Sequence, residues 1–390
     1  MVNYEQKLCK AIRKVKPSGI RKFFDISAEM EDVVSLSIGE PDFTTPEHIT
    51  KVGIASLEEG DTKYTANKGI TELRGLIADY YRTHYQVPAT CDEVLVTVGG
   101  SEALDLALRV LVEPGDEVLI PEPCFVCYSP LTSMRSGIAV PIETRVEDEF
   151  KLTPELLKSH ITPKSKILIL AYPSNPTGAI MTREDYEKLV DIIIENDLLV
   201  ISDEIYAALT YGGKQHCSIA SLPGMKERTI IVNGFSKAYA MTGWRLGYSI
   251  APLPIIKEMT KLHQYGIMSA PTTAQYAAME AIRNGEADIE HMRNEYDKRR
   301  RYIVDAFNSM GMTCFEPRGA FYCFPSIQIS GLSSAEFCER LIHEKRVAII
   351  PGTAFGDCGE GFARVSYCNS QENLELAVAR IAEFLKEIRG

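Results

Sequence analysis

No stretch of this chain stays apolar for the roughly 18 residues that a membrane-spanning helix needs, so a spanning protein is not expected. The opening residues, Met1-Val-Asn-Tyr-Glu-Gln-Lys7, lack the apolar core of an export signal. Basic charge is in short supply too. Lys and Arg total 42 against 53 Asp and Glu, a net charge of −11, which argues against the basic face of a nucleic-acid binder. The one dense basic stretch, Lys298-Arg-Arg-Arg301, reads as a solvated helix face. Cys124 and Cys127 form a CxxC, but no second pair and no His cluster follow at zinc spacing, so no metal site is expected. The ten cysteines show no short disulfide pattern and read as reduced thiols of a cytoplasmic protein. Internal repeats and low-complexity linkers are also missing.

What remains is a chain of 390 residues, 45% apolar and 24% charged, the balance of a soluble globular protein with two packed lobes. From about residue 92 to 251, short apolar runs alternate with helical patterns. The runs are Val94–Val98, Glu117–Ile120, Lys166–Ala171, Leu198–Ser202, Thr229–Val232 and Gly247–Ala251; amphipathic stretches such as Ser101–Val112 and Arg183–Asn196 lie between them. Runs that are apolar on both faces and separated by helices predict an α/β fold with a mostly parallel, doubly wound sheet. A long helical region over about 253–310 follows. Strands then recur near Ala320–Phe324, Val347–Ile350 and Ala363–Cys368, with a last helix over Gln371–Ile388, which predicts a smaller α/β lobe.

Ligands of open parallel sheets sit at the carboxyl ends of the strands, and the chemically suggestive residues fall there. Lys237 follows the Thr229 run inside Asn233-Gly-Phe-Ser-Lys-Ala-Tyr-Ala-Met-Thr-Gly-Trp-Arg-Leu-Gly247. A lysine in an apolar, glycine-punctuated loop can lose its proton and form an imine with a carbonyl. Arg245, between Gly243 and Gly247, offers a planar fork for a phosphate. Together they describe a holder for a phosphorylated aldehyde, the common one being pyridoxal 5'-phosphate. The plain structural alternative is a surface lysine and a structural arginine after a buried strand.

Each further residue carries its own pair of readings. Gly99-Gly-Ser101 opens a helix whose free N–H groups attract phosphate; a glycine turn with a serine N-cap would look the same. Glu102 suits the first helical turn, but beside a phosphate its carboxylate has to face away. Phe125 can stack on a flat heteroaromatic ring or sit in the core. Asn175, in the turn Tyr172-Pro-Ser-Asn-Pro-Thr-Gly178, can donate to a phenolate, and the turn predicts a cis Asn175–Pro176 bond. Asp203 can keep a pyridine nitrogen protonated, with Tyr206 reaching the ring's phenolate, or it can simply end a strand. Arg364 lies inside an apolar strand, where a charge is costly without a partner. An amino-acid carboxylate is one candidate partner; an internal Asp or Glu is the other.

These motifs, with Ile38-Gly-Glu-Pro-Asp-Phe43 and Tyr64-Thr-Ala-Asn-Lys-Gly69, resemble the class I/II pyridoxal-phosphate aminotransferases of fold type I, from about residue 16 to the C-terminus. The branch most resembled holds bacterial and archaeal aromatic, aspartate and N-acetyl-diaminopimelate aminotransferases. The resemblance implies a large domain over 46–284 built on a seven-stranded sheet, and a small domain from 1–45 and 285–390. It implies that Lys237 joins the cofactor, Asp203 meets the pyridine nitrogen, Asn175 and Tyr206 hold the phenolate, and Phe125 stacks on the ring. Phosphate contacts are implied for Gly100, Ser101 and Glu102 through their backbone, for Ser236 and Arg245, and for Tyr64 entering from the neighbouring subunit of a homodimer. The substrate carboxylate is implied to meet Gly39, Asn175 and Arg364. Many relatives carry a serine that binds phosphate where this chain has Gly234, which leaves open whether Ser236 contacts the phosphate.

The function expected is transfer of an amino group between an L-amino acid and a 2-oxo acid, with 2-oxoglutarate and glutamate as one pair. Two alternatives share the scaffold. A C–S β-lyase would use the same lysine, aspartate and arginines. A non-enzymatic regulator would be expected to lose the lysine or gain a DNA-binding extension. Residues that shape the side-chain pocket are expected among Ile38, Phe43, Tyr128, Tyr265 and the neighbouring loop near Tyr64.

Overall fold

One sheet of seven strands dominates the computed structural model, which describes residues 2–15, 17 and 19–389. Residue 16, where the family likeness begins, lies outside the described residues. In chain order the strands are β1 (Val94–Thr97), β2 (Glu117–Glu122), β3 (Ile138–Glu143), β4 (Ser165–Ala171), β5 (Leu199–Asp203), β6 (Thr229–Gly234) and β7 (Gly247–Ile250). They lie side by side as β1-β7-β6-β5-β4-β2-β3. Only β7 runs against its neighbours.

The apolar runs become strands because both faces are covered. Along β4, Ile167 and Ile169 join the cluster of Leu104, Ala107 and Leu108 from the helix Gly99–Leu111. Leu168 and Leu170 point the other way, into the cluster of Tyr186, Leu189 and Ile193 from the helix Arg183–Glu195. Each such side chain contributes about 1.5–3 kcal/mol of burial before chain entropy is set against it. β3 is the strand the apolar pattern does not show. Half of its residues are exposed, it carries Pro141 and it pairs on one side only, with β2, as an edge strand tolerates.

Register brings the strand ends together. Ala171 pairs with Asp203, Asp203 with Val232, and Gly247 with both Gly234 and Thr97. The end of β1, the start of β7 and the ends of β4, β5 and β6 therefore share one edge.

The remaining strands are short. Val34–Ser35 pairs in parallel with Val347–Ala348. Ile350–Pro351, Ala363–Ser366 and Tyr322–Cys323 form an antiparallel sheet of three. The single run expected over Val347–Ile350 is thus divided between two sheets. The long helical region is three helices, Leu253–Gly266, Thr272–Asn284 and Glu286–Ser309, and the last helix is Gln371–Arg389.

One surface reading is corrected. Lys298 is exposed, but Arg300 is buried and paired with Asp297 and Glu316, and Arg299 lies against Phe43 and bonds Asp42. The helix turns two of these cations inward to carboxylates, so the stretch is not a solvated face. Among the described residues no helix is long and apolar enough to cross a membrane, and no group of His, Cys, Asp and Glu could hold a metal.

Candidate active site

A cavity of about 320 Å³ opens at the shared strand edge. Gly39, Gly100, Ser101, Phe125, Asn175, Asp203, Tyr206, Ser236, Lys237, Arg245 and Arg364 all line it. Residues more than 300 positions apart in the chain therefore converge on one space.

Lys237 follows β6, and its Nζ donates to the Gly39 carbonyl at 2.6 Å. Burial lowers the amine pKa from 10.5 to about 8, helped by the Arg364 and Arg245 cations and opposed by Cys368 and Glu40. A large share of this amine is neutral, hence nucleophilic, in mildly basic water. The surface-lysine alternative does not survive this burial.

Asp203 ends β5 inside the cavity. Burial raises its carboxyl to about 6, while hydrogen bonds from the Tyr128 hydroxyl (2.8 Å) and the Ile205 N–H (3.2 Å) pull it back toward the charged form. It is a carboxylate at neutral pH, ready to accept from a protonated nitrogen. Tyr206, two residues beyond Glu204, shares a 2.8 Å hydrogen bond with the Tyr322 hydroxyl. Asn175 sits in its tight turn after β4, and the Asn175–Pro176 bond is cis, as the turn's composition predicts.

Arg364 is 2% exposed. Its guanidinium donates to Asn175 Oδ1 at 3.1 Å and to the Ser37 carbonyl, and it lies 4.6 Å from the Tyr322 ring centre and 4.9 Å from that of Phe355. Among the described residues its buried Nε has no hydrogen-bond partner. All of these acceptors are neutral, so among the described residues Arg364 has no internal carboxylate partner of the kind considered from the sequence. A planar cation held with spare donors facing a cavity can take a carboxylate in two hydrogen bonds.

At the other end of the cavity the helix Gly99–Leu111 presents its first turn. Its N-cap is Val98, not Ser101; Ser101 stands within the turn, on the cavity wall. Gly99 has φ +72°, and a Cβ there would meet the Arg245 guanidinium at 2.8 Å. The orphan N–H groups of the turn and the arginine fork thus lie side by side, an arrangement suited to a phosphate.

Two predicted residues, Glu102 and Tyr64, do not line the cavity, and for the Glu102 carboxylate, facing away is the expected direction. The Glu102 carboxylate faces away from the cavity, toward Val98 N–H and His263. Tyr64 is 80% exposed and is not among the residues that line the cavity. Of the side-chain pocket residues expected, Tyr128 lines the cavity and Ile38, Phe43 and Tyr265 do not. Phe43 is engaged instead with His291, Tyr296 and Arg299. Tyr322, Ile20 and Thr242 were not foreseen at this site. Tyr322 comes from a short strand of the second region, and nothing local in the sequence marks it.

The whole chain has relatives of known kind. The family described as "Aminotransferase class I and II" matches residues 31–381. An aspartate aminotransferase of Pyrococcus abyssi is 46% identical over 376 residues, covering 96% of this chain and 97% of the relative. Aromatic-amino-acid aminotransferase 2 of Thermococcus litoralis is 43% identical over 379 residues, with the same coverage of 96% and 97%. The crystal structure of an aromatic aminotransferase from Pyrococcus horikoshii OT3 matches with a TM-score of 0.90 at 44% identity, over 94% of this chain and 99% of that one. A buried amine, a carboxyl, an arginine pair and a helix start at one sheet edge are thus set within a sequence alike from end to end, and the chain belongs to the class I and II aminotransferases, enzymes that depend on pyridoxal phosphate.

Proposed function

We propose that the enzyme exchanges amino groups in two half-reactions, an amino acid leaving as its 2-oxo acid before a second oxo acid enters, with 2-oxoglutarate and glutamate as one pair. The observation that carries this reading is the pairing of Lys237, with its lowered pKa, and the carboxylate-free Arg364 in one cavity. An acid-capturing cation beside a deprotonable amine suits substrates that are amino acids.

The residues present fit pyridoxal phosphate. When bound, the cofactor supplies an aldehyde for covalent capture and a ring that withdraws electrons from the substrate's α-carbon. Lys237 Nζ would make the covalent attachment. Asp203 would hold a proton at the ring nitrogen, Asn175 and Tyr206 would donate to the ring's phenolic oxygen, and Phe125 would cover a ring face. The phosphate would rest on the N–H groups of Gly100, Ser101 and Glu102, with Ser236, Arg245 and Tyr64 of a neighbouring subunit. Arg364, with Asn175 and the Gly39 backbone, would take the substrate's α-carboxylate and so fix the direction of its Cα–H bond. Lys237 Nζ, once freed, would remove the proton from Cα.

Among the described residues three cations line the cavity, Lys237, Arg245 and Arg364, and each is committed by this scheme. Among the described residues of one subunit none is left for a side-chain carboxylate. Discrimination among aspartate, aromatic and N-acetyl-diaminopimelate type donors then rests on neutral groups such as Tyr128 and Tyr322, which favours an aromatic or uncharged donor over aspartate. The division into a large domain over 46–284 and a small domain from 1–45 and 285–390 gives a lobe that can close over the substrate. Ten free thiols support a reducing compartment such as the cytoplasm.

The test is a panel of amino donors with 2-oxoglutarate, followed by half-reaction spectra. Oxo-acid formation that needs an acceptor, largest with aromatic donors, is expected. Pyruvate and ammonia released from cystathionine without an acceptor would instead make the enzyme a C–S β-lyase.

A further inference from the structure

We infer that Glu102 and His263 form a positioning pair that keeps a carboxylate off the phosphate end of the cavity. The inference rests on the cofactor placement proposed above. Glu102 lies in the first turn of the helix Gly99–Leu111, the same turn that offers Gly100 and Ser101 to the cavity. A carboxylate there is drawn to the turn's free N–H groups, the very donors an anion would use, and its charge would repel that anion. In this chain the carboxylate is turned away by two contacts. Oε2 accepts the Val98 N–H at 2.5 Å, back on the strand side of the turn. Oε1 lies 2.8 Å from Nδ1 of His263, on the neighbouring helix Leu253–Gly266.

His263 is 0% exposed. Its carboxylate partner only accepts, so Nδ1 carries a proton. Its Nε2 is buried with no hydrogen-bond partner among the described residues. A purely structural residue at that spot is better served by an apolar side chain, since a buried nitrogen left unpaired is a cost. The ring's one hydrogen bond is therefore its role: it holds Glu102 aside. The turn itself has nowhere to retreat. A Cβ on Gly247, behind it, would stand 2.4 Å from the Gly99 carbonyl carbon and 2.5 Å from Gly100 N.

The pair touches neither substrate nor aldehyde, so its effect belongs to the phosphate alone. The experiment compares dissociation constants of pyridoxal 5'-phosphate and of pyridoxal, which lacks the phosphate, for cofactor-free wild type and variants. His263→Leu releases Glu102 and is expected to weaken pyridoxal 5'-phosphate at least tenfold while leaving pyridoxal within about twofold. His263→Asn, which keeps a donor near Nδ1, should stay near wild type. Adding Glu102→Gln to His263→Leu removes the freed charge and should restore most of the lost affinity. Equal weakening of both ligands by His263→Leu, or no recovery in the double variant, would overturn the inference. Wild-type protein that binds neither ligand would instead count against the cofactor placement itself.

Discussion

Arg364 sets a cation in the core of the second region with only neutral acceptors among the described residues. Burying such a charge costs stability that a bound carboxylate gives back, so the residue serves binding against folding. Arg364→Met, which fills similar volume without charge, is expected to keep or raise the melting temperature by a few degrees. The same change should raise the KM for amino donors by roughly 10²-fold or more, since two charge-assisted hydrogen bonds are lost at about 1.5–3 kcal/mol each. Thermal melts and steady-state kinetics on one preparation check both halves; a less stable variant with unchanged KM would rule out the assignment. Lys237 yields a pH prediction. Its pKa is lowered by burial to about 8, so below that pH the amine is protonated and cannot attack, and above it the amine is free. Covalent capture of the cofactor aldehyde by the cofactor-free enzyme should therefore rise with pH, about tenfold per unit, and level off above about 8. A rate still climbing through 10 would show an amine in ordinary water. Both residues were visible in the sequence because each breaks a local rule, a charge in an apolar strand or a lysine in a glycine-rich loop. Tyr322 breaks none. It is an aromatic residue in an apolar run, and only the tertiary fold brings its hydroxyl to Tyr206.

At the scale of elements, what matters is how closely the start of β7 backs onto the helix Gly99–Leu111. Gly247 is required there by contact with backbone, which cannot rotate aside as a side chain can. Gly247→Ala is expected to destabilise the protein by about 1–3 kcal/mol in urea unfolding, through overpacking. Gly243, where an added methyl group would meet nothing within 4 Å, supplies the control: Gly243→Ala should stay within about 0.5 kcal/mol of wild type. If the two variants melt alike, the close approach is not a constraint. Buried strands such as β4 and β6 were legible because both faces are apolar, which is a strong signal over even a few residues. β3 was not, since an edge strand half open to water and holding a proline has no such signature. The run Val347–Ile350 was legible as strand but not as two strands; its first half pairs with Val34–Ser35 and the segment from Ile350 with Ala363–Arg364, a division decided by partners far away in sequence.

For the whole molecule, pattern reading gave one large mostly parallel sheet and a second α/β region, while the identity of the smaller strands' partners depended on contacts that periodicity cannot carry. The same limit applies beyond the single chain. Thr272 Oγ1 donates to the Lys63 carbonyl and Asn67 donates to the Met268 carbonyl, which ties the Tyr64 loop to the segment that follows the helix Leu253–Gly266. Tyr64 and Tyr265 are 80% and 88% exposed, and Ile267 and Met268 are exposed with them. Aromatic and aliphatic side chains offered to water on one tethered surface suit burial in a subunit contact, and Tyr64 is proposed to complete a neighbouring chain's phosphate site. Exchange between chains can be tested by complementation. Lys237→Ala should have no turnover, and Tyr64→Ala should lose at least about tenfold in cofactor affinity. In a mixed pair, the chain carrying Tyr64→Ala keeps its own Lys237 and receives an intact tyrosine from its mate, so one of the two sites is whole. Random pairing makes about half of the dimers mixed with half of their sites intact, and co-refolded material should regain about a quarter of wild-type activity at limiting cofactor. Were Tyr64 to serve the site of its own chain, no combination would assemble a whole site, and the mixture would show only the sum of its two parents.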